Sequence, residues 1–506
     1  MRLPLFPAGR IQIHRLQRIS RVRPRARRSR YSLSHRLTRS APAIFLSLLL
    51  VVILLGVSVA GVRVYTVLSK VTGNGTAINP VDILKQQAEP PQGSIAYKLK
   101  HDERINILLL GYGGSENDAP YLTDSIMVAS VDPASHRVML ASVPRDLWVT
   151  IDAWPAGHAQ AHEKINAAFE AGAAPGSIGD KNVLADYTGR DGAGHIAEHV
   201  VGNIVGMKFD NYVAVDFKAF RDMVDALGGI QVCMDTPLDD NEYPNYHNGY
   251  IKGGIHFQAG CYQVNGEQAL ELARSRHAVQ AEQASDFGRA RRQQMIMLAI
   301  KQKAVSVNGM AKAPQLMSAL ENDFKTDMTI NDLTALYNWG VNLPESQIVR
   351  VALTNNDFLT FGANGACAPP STTSALCPED PSYGQIRNYF DNVFVDPKVL
   401  AEKAPVQLAN ASLNSSELGP RLQAALTPLG IQFEANPVRR RYSTQSVIYD
   451  YSGGAFPQTA QWLSQYFKAP VQQVTPQAAP PAVGQSTDGL VVVLGGDYAR
   501  RWYGLG

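Results

Sequence analysis

The segment Ile105–Val143, INILLLGYGGSENDAPYLTDSIMVASVDPASHRVMLASV, decides the fold. Its first six residues, Ile105–Leu110, form a continuous apolar run, the pattern of a strand buried on both faces. Ser125–Val131 and Arg137–Val143 read as two more strands, with Asp132-Pro133-Ala134-Ser135 as the turn between them. Further on, Tyr212–Val215 is a strand. Phe217–Leu227 has helical spacing at Phe217, Phe220, Val224 and Leu227 and stops at Gly228-Gly229. Ile230–Met234 returns as a strand. Strands alternating with helices predict an α/β fold, a layered α-β-α domain with a mixed central sheet.

Arginines converge on this frame. Arg274 and Arg276 sit in ELARSRH, and Arg289, Arg292 and Gln293 in SDFGRARRQQ; Arg145 follows a predicted strand end in Ser-Val-Pro-Arg-Asp. Asn265 is placed to cap a helix from Gly266 to about Ser275, and Asp286 to cap the next. Arg289, Arg292 and Gln293 stand at i, i+3 and i+4, so they share one helix face near its N-terminus, where anions are already favoured. A guanidinium fork fits phosphate oxygens two at a time. Several forks from separated segments predict a multiply charged anion, with pyrophosphate the natural candidate. A solvated basic face is the bland alternative.

The chain has 506 residues, room for two or three domains, and a net charge of +3 that hides an asymmetry. Residues 1–40 carry twelve arginines and no acid, so +3 less twelve leaves the remainder at −9. Ala41–Val62 is an uncharged apolar run, close to the ~20 residues that cross a bilayer. The basic tail before it predicts a single-pass transmembrane helix (41–66) acting as a signal-anchor. The N-terminus would be cytoplasmic, the rest extracellular, and the tail would face lipid rather than nucleic acid. Ser58-Val59-Ala60 leaves a cleaved signal peptide as the alternative. Residues 67–100 read as a linker, 101–305 as the main α/β domain and 306–398 as a continuation. Residues 399–506 read as a small α/β C-terminal domain, with a flexible loop near 471–486. The four cysteines permit two disulfides, Cys367 with Cys377 and Cys233 with Cys261; four reduced thiols are the alternative.

NILLLG, LTDSIMVASVDP, ASVPRDLWV, KINAAFEAG, NYVAVDFKAFRDMVDALGGIQV, VNGEQALELARSRH and DFGRARRQQ follow one another over about residues 104–305. In this order they resemble the LytR-CpsA-Psr family of cell-envelope proteins. The closing region, ending in VVVLGGDY, looks like the C-terminal domain often attached to such proteins. The resemblance implies a phosphotransferase. It would move a glycopolymer from a polyprenyl-pyrophosphate carrier to a peptidoglycan hydroxyl, forming a phosphodiester and releasing polyprenyl phosphate. It also implies that Arg145, Arg274, Arg276, Arg289 and Gln293 hold the pyrophosphate. Asp124 would serve the Mg²⁺ (or Mn²⁺) or the acceptor, and Lys164 matches a motif position. One departure is plain: many members carry aspartate in an LLLGxD pattern where this chain has Gly113. Asp118, in the following loop, is the candidate substitute.

Phosphoryl transfer needs positioning and charge neutralisation more than covalent catalysis. One aspartate plus phosphate oxygens and water suits magnesium, and Asp124 could equally take the acceptor's proton. Asp146 is expected to orient Arg145. Two other classes of function stay open: a lipid-pyrophosphate-glycan binding protein without turnover, and a metal-dependent pyrophosphatase. His195-Ile196-Ala197-Glu198-His199 also fits the H-x-x-E-H spacing of inverted zinc peptidases, with no third ligand legible nearby.

Overall fold

A computed structural model describes residues 89–505, apart from 116, 159, 246–248, 285, 305–323, 329, 341–342, 363–366, 413–416, 437–441 and 475–488. The expected transmembrane run and basic tail lie outside the described residues. Among those described, no helix is long and apolar enough to cross a membrane.

The central sheet has six strands: β1 (Ile105–Tyr112), β2 (Thr123–Asp132), β3 (Arg137–Val143), β4 (Asn211–Asp216), β5 (Phe324–Thr326) and β6 (Ile348–Ala352). Their order is β5-β4-β1-β2-β3-β6. β1–β2–β3 is an antiparallel meander, whereas β4 runs parallel to β1 and β6 parallel to β3. The sheet is therefore mixed, as expected. Both edge strands come from the segment read as a continuation, so residues 306–398 complete this sheet.

The unbroken apolar run of β1 follows from burial on both faces. Leu108 and Leu110 point into one core, with helices α1 (Ala167–Ala173) and α2 (Gly192–Val205). Ile107 and Leu109 point into the other, with α3 (Phe217–Ala226), α4 (Gly266–Arg274) and α5 (Asp286–Ala304). Truncating Leu108, which is fully buried, would cost about 2–5 kcal/mol. α2 sits against β4 at Gly194, where an added Cβ would stand 2.4 Å from the Tyr212 ring. Only glycine lets helix and strand approach this closely.

The caps are specific. Asp216 Oδ1 accepts from the Ala219 amide (2.7 Å) and starts α3 directly at the end of β4. Asn265 and Gln268 form a complete capping box on α4. The side chain of Asp286 lies outside the described residues.

The C-terminal region builds a second sheet from β7 (Val406–Asn410), β8 (Phe433–Asn436), β9 (Val447–Asp450), β10 (Val471–Gln473) and β11 (Leu490–Leu494). Its order is β8-β7-β11-β9-β10, parallel except between β9 and β11. Helices α6 (Leu418–Leu426), α7 (Pro457–Phe467) and α8 (Gly496–Trp502) accompany it. Val471–Gln473 corrects the reading of a loop from 471: main-chain pairing with Ile448–Asp450 makes it an edge strand despite its polar glutamines. The two sheets share one apolar cluster, and the fully buried Trp502 of α8 packs 5.2 Å from Phe358.

Both disulfides pair as expected. Cys233 and Cys261 face each other across an antiparallel strand pair. Cys367–Cys377 closes a short loop whose sulfurs are buried beside Trp148.

Candidate active site

β1 and β4 run parallel and deliver Gly111 and Asp216 to the same end of the sheet; β2 starts there at Thr123-Asp124-Ser125, and β3 leaves there into Pro144-Arg145-Asp146. Ligands of open α/β sheets gather where strands end in this way. A cleft opens at this edge, between the sheet and helices α3, α4 and α5.

The cleft has two chemically different parts. Arg145, Arg274, Arg276 and Arg289 line it, with Gln293, Asp124 and Asp216. Deeper, the lining is apolar: Leu109, Met127, Val213, Phe220, Leu270 and Ile296. The sequence showed the arginines but not this slot, because its residues come from six different segments. Asp216 was also missed; its signal was only a capping aspartate between a strand and a helix.

Asp146 organises the cations. Its Oδ1 accepts from Lys164 Nζ at 2.6 Å, while Arg145 Nε and Arg276 Nη2 lie 3.6 and 3.5 Å from Oδ2. Burial pushes the Asp146 carboxyl up, but the Lys164 hydrogen bond and the charges of Arg145, Lys164 and Arg276 outweigh it and hold it below its ordinary range. Asp146 is thus the orienting partner of Arg145, as expected, and also of two further cations. Arg145 Nη1 pairs in addition with Asp124. Arg274 stacks over the Phe217 ring, 4.4 Å from its centroid, which fixes the guanidinium plane at the lip of the slot.

Lys164-Ile165-Asn166 has a structural reason to be there. Lys164 holds Asp146, the Asn166 amide donates to the Arg145 carbonyl (3.3 Å), and the Asn166 carbonyl accepts from both the amide (3.1 Å) and hydroxyl (3.2 Å) of Thr123. This strut sets Arg145 and Asp124 relative to each other. Lys164 itself does not line the cleft.

Two expected site residues fall elsewhere. Arg292, expected on the pyrophosphate, is 3 % exposed and donates to the carbonyls of Leu272 (2.7 Å), Ser275 and Gln283 (2.7 Å) and to Gln283 Oε1 (2.9 Å). Burial first, then the charges of Arg289 and Arg291, lower its pKa to about 10, so it stays a cation at neutral pH. Arg292 staples the end of α4 to α5, and helical spacing could not separate it from Arg289. Asp118 is exposed and is not among the residues that line the cleft. At Gly113 a Cβ would stand 2.9 Å from Asn117 Cβ and 3.0 Å from the Ala119 carbonyl. The loop is built around glycine at that position.

In H-x-x-E-H the two histidines diverge. His199 Nε2 lies 3.0 Å from Asp152 and 3.1 Å from the Asn203 amide nitrogen, whereas His195 faces Asp327. The paired-histidine zinc geometry is therefore absent.

Residues 65–367 match the LytR_cpsA_psr family. Over 254 residues the chain is 26% identical to a polyisoprenyl-teichoic acid–peptidoglycan teichoic acid transferase TagU of Oceanobacillus iheyensis, covering 50% of this chain and 68% of that protein. Over 252 residues it is 27% identical to the corresponding transferase TagV of Bacillus subtilis, covering 50% of this chain and 56% of that protein, little more than half of its length. The crystal structure of B. subtilis TagV superposes with a TM-score of 0.41 and 23% identity, over 57% of this chain and 97% of that one.

Proposed function

The chain belongs to the LytR_cpsA_psr family, and from that premise we propose that it transfers a glycopolymer from a polyprenyl-pyrophosphate carrier to a peptidoglycan hydroxyl. The observation that carries this reading is the two-part cleft. An apolar slot continues into a collar of four arginines, the complement of a lipid chain ending in a pyrophosphate. Water-soluble phosphate esters need the collar but not the slot.

In this reading Arg145, Arg274, Arg276 and Arg289 hold the pyrophosphate oxygens, and Gln293 adds an amide donor. The acceptor hydroxyl oxygen bonds to the glycan-side phosphorus, and the bridging P–O bond to polyprenyl phosphate breaks. The arginines take up the charge that develops on the leaving phosphate. Asp124, paired with Arg145, would receive the hydroxyl proton or share a metal ion with the donor's phosphates. The donor set fits Mg²⁺ or Mn²⁺: few carboxylates, here Asp124 with Asp216 nearby, completed by phosphate oxygens and water. When bound, such an ion neutralises phosphate charge and orients the donor.

The Ala41–Val62 run would anchor the chain with its N-terminus in the cytoplasm and the cleft outside, where the two disulfides are stable. The test supplies Mg²⁺, a polyprenyl-pyrophosphate oligosaccharide and peptidoglycan fragments, and follows polyprenyl phosphate release and product mass. A glycan–phosphate–peptidoglycan adduct is the expected product. Free phosphorylated glycan would make the protein a pyrophosphatase, and binding without release would make it a carrier of the lipid-linked donor.

A further inference from the structure

We infer that His195, Glu198 and Asp327 form a binding site for one divalent transition-metal ion, separate from the arginine cleft. One ligand atom from each lies within 4.8 Å of the others, and His195 Nε2 is 3.9 Å from Asp327 Oδ2. His195 and Glu198 project from one face of α2 at i and i+3. Asp327 follows β5 directly and is fixed by the Tyr212 amide, which donates to its Oδ1 at 3.0 Å. A tetrahedral ion bound at about 2.0–2.2 Å needs ligand atoms about 3.4 Å apart.

Three independent features point to a cation. First, His195 Nδ1 lies 3.3 Å from the Asp186 carbonyl. Donating Nδ1–H there leaves the Nε2 lone pair facing the two carboxylates, the arrangement of a metal-ligating histidine. Second, Glu198 Oε1 is buried with no hydrogen-bond partner, and no Lys or Arg pairs with Glu198 or Asp327 among the described residues. Third, the surrounding acids are already satisfied. Asp210 accepts from Lys98 Nζ (2.6 Å) and the Asn106 amide (2.9 Å), and Asp191 accepts from the Tyr212 hydroxyl (2.8 Å). Glu198 and Asp327 are therefore the acids of this group that face His195.

One imidazole with two carboxylates suits zinc and its first-row neighbours better than magnesium, which prefers oxygen alone. The site lies on the α2 face of the sheet, at the Tyr212 end of β4. Asp216 and the cleft are at the other end, four residues or about 13 Å along the strand. Its position suggests that the ion clamps the short edge strand β5 to α2, with no part in the transfer itself.

The test uses the full chain in detergent, stripped by chelator and then titrated with Zn²⁺, with calorimetry, metal analysis and thermal melting. The wild-type chain should bind an equivalent of Zn²⁺ that is lost in His195→Ala and Glu198→Gln, and should melt at least about 3 °C higher when loaded. Mg²⁺ at the same concentration should give no such shift. Glu198→Gln keeps the volume and removes the buried charge, so its metal-free form should melt no lower than wild type. That variant therefore separates loss of a ligand from loss of the fold. Polyprenyl phosphate release with Mg²⁺ should be unchanged in Glu198→Gln, so this result does not depend on the transfer reading. Zinc stoichiometry and melting shift equal to wild type in both variants would overturn the proposal, as would no zinc retention by the wild-type chain. In the second case Glu198 would be a protonated acid resting on Asp327.

Discussion

At the Asp216 end of β4, four arginines line a cleft with two carboxylates; at the Tyr212 end, two carboxylates face one histidine, with no arginine or lysine paired to them among the described residues. The same strand thus carries opposite imbalances of charge at its two ends. Paired charges such as Lys98–Asp210 hold the fold together. A local excess of one sign, even where its members have partners, favours a ligand of opposite sign. The cleft calls for an anion and the edge cluster for a cation, and α2 and α3–α5 keep the two apart on opposite faces of the sheet.

The strongest way to break this comparison is to remove an arginine from the collar. Arg145→Ala or Arg289→Ala should lower transfer by about 10²–10³-fold or more while leaving the zinc response intact. Full activity in both variants would end the assignment of the cleft.

Arg292→Met sharpens the distinction between a binding arginine and a structural one on the same helix. It strands several buried carbonyl acceptors, so unfolding should become easier by about 3 kcal/mol. Donor affinity per folded molecule should stay within about twofold. A selective loss of donor binding, with an unchanged denaturation curve, would return Arg292 to the site.

The Cys367→Ser/Cys377→Ser double variant tests a loop that leans on the Arg145 turn, where the Leu376 amide donates to the Asp146 carbonyl at 2.9 Å. Opening a loop with a sequence separation of 10 should cost about 2–3 kcal/mol in denaturant melts. Zinc binding by the folded fraction should be unaffected, and transfer should fall less than in the arginine variants. Altered metal stoichiometry in this variant would show that the two ends are not independent.

The smallest effect is at Asp146. Its folded pKa is depressed, so its contribution to stability is present above the unfolded value and lost as pH falls through the folded one. Melting followed from pH 5 downwards should show that loss below about pH 4, and Asp146→Asn should flatten it. At pH 7 that variant should cost about 1 kcal/mol, since its partners are partly exposed. An unchanged acid limb in Asp146→Asn would mean that other carboxylates control acid unfolding.

Much of the frame was legible in the residues. The β1 run, the β2 and β3 pattern, the helix stopping at Gly228-Gly229 and the Asn265 cap each obey a local rule, and the structure places them within two residues of those readings. The edge strands β5 and β6 were not legible: each is short, and pairing to a neighbour far away in sequence decides its conformation. Val471–Gln473 escaped for the same reason. At the site, Arg145, Arg274, Arg276, Arg289 and Gln293 could be collected by type and spacing. Separating Arg292 from Arg289 needed the position of the α4 carbonyls.

The sequence by itself determined the central strands β1–β4, the helices that follow β4 and the pool of candidate arginines, because these follow from periodicity, turn chemistry and side-chain type acting over a few residues. Only the tertiary structure decided which side chains meet. The apolar slot behind the arginines, the Asp146 hub, and the meeting of His195 and Glu198 with Asp327 all join residues far apart in the chain. Such contacts depend on sheet order, and on glycines like Gly194 that let elements close to within contact distance, and neither is written in any one segment.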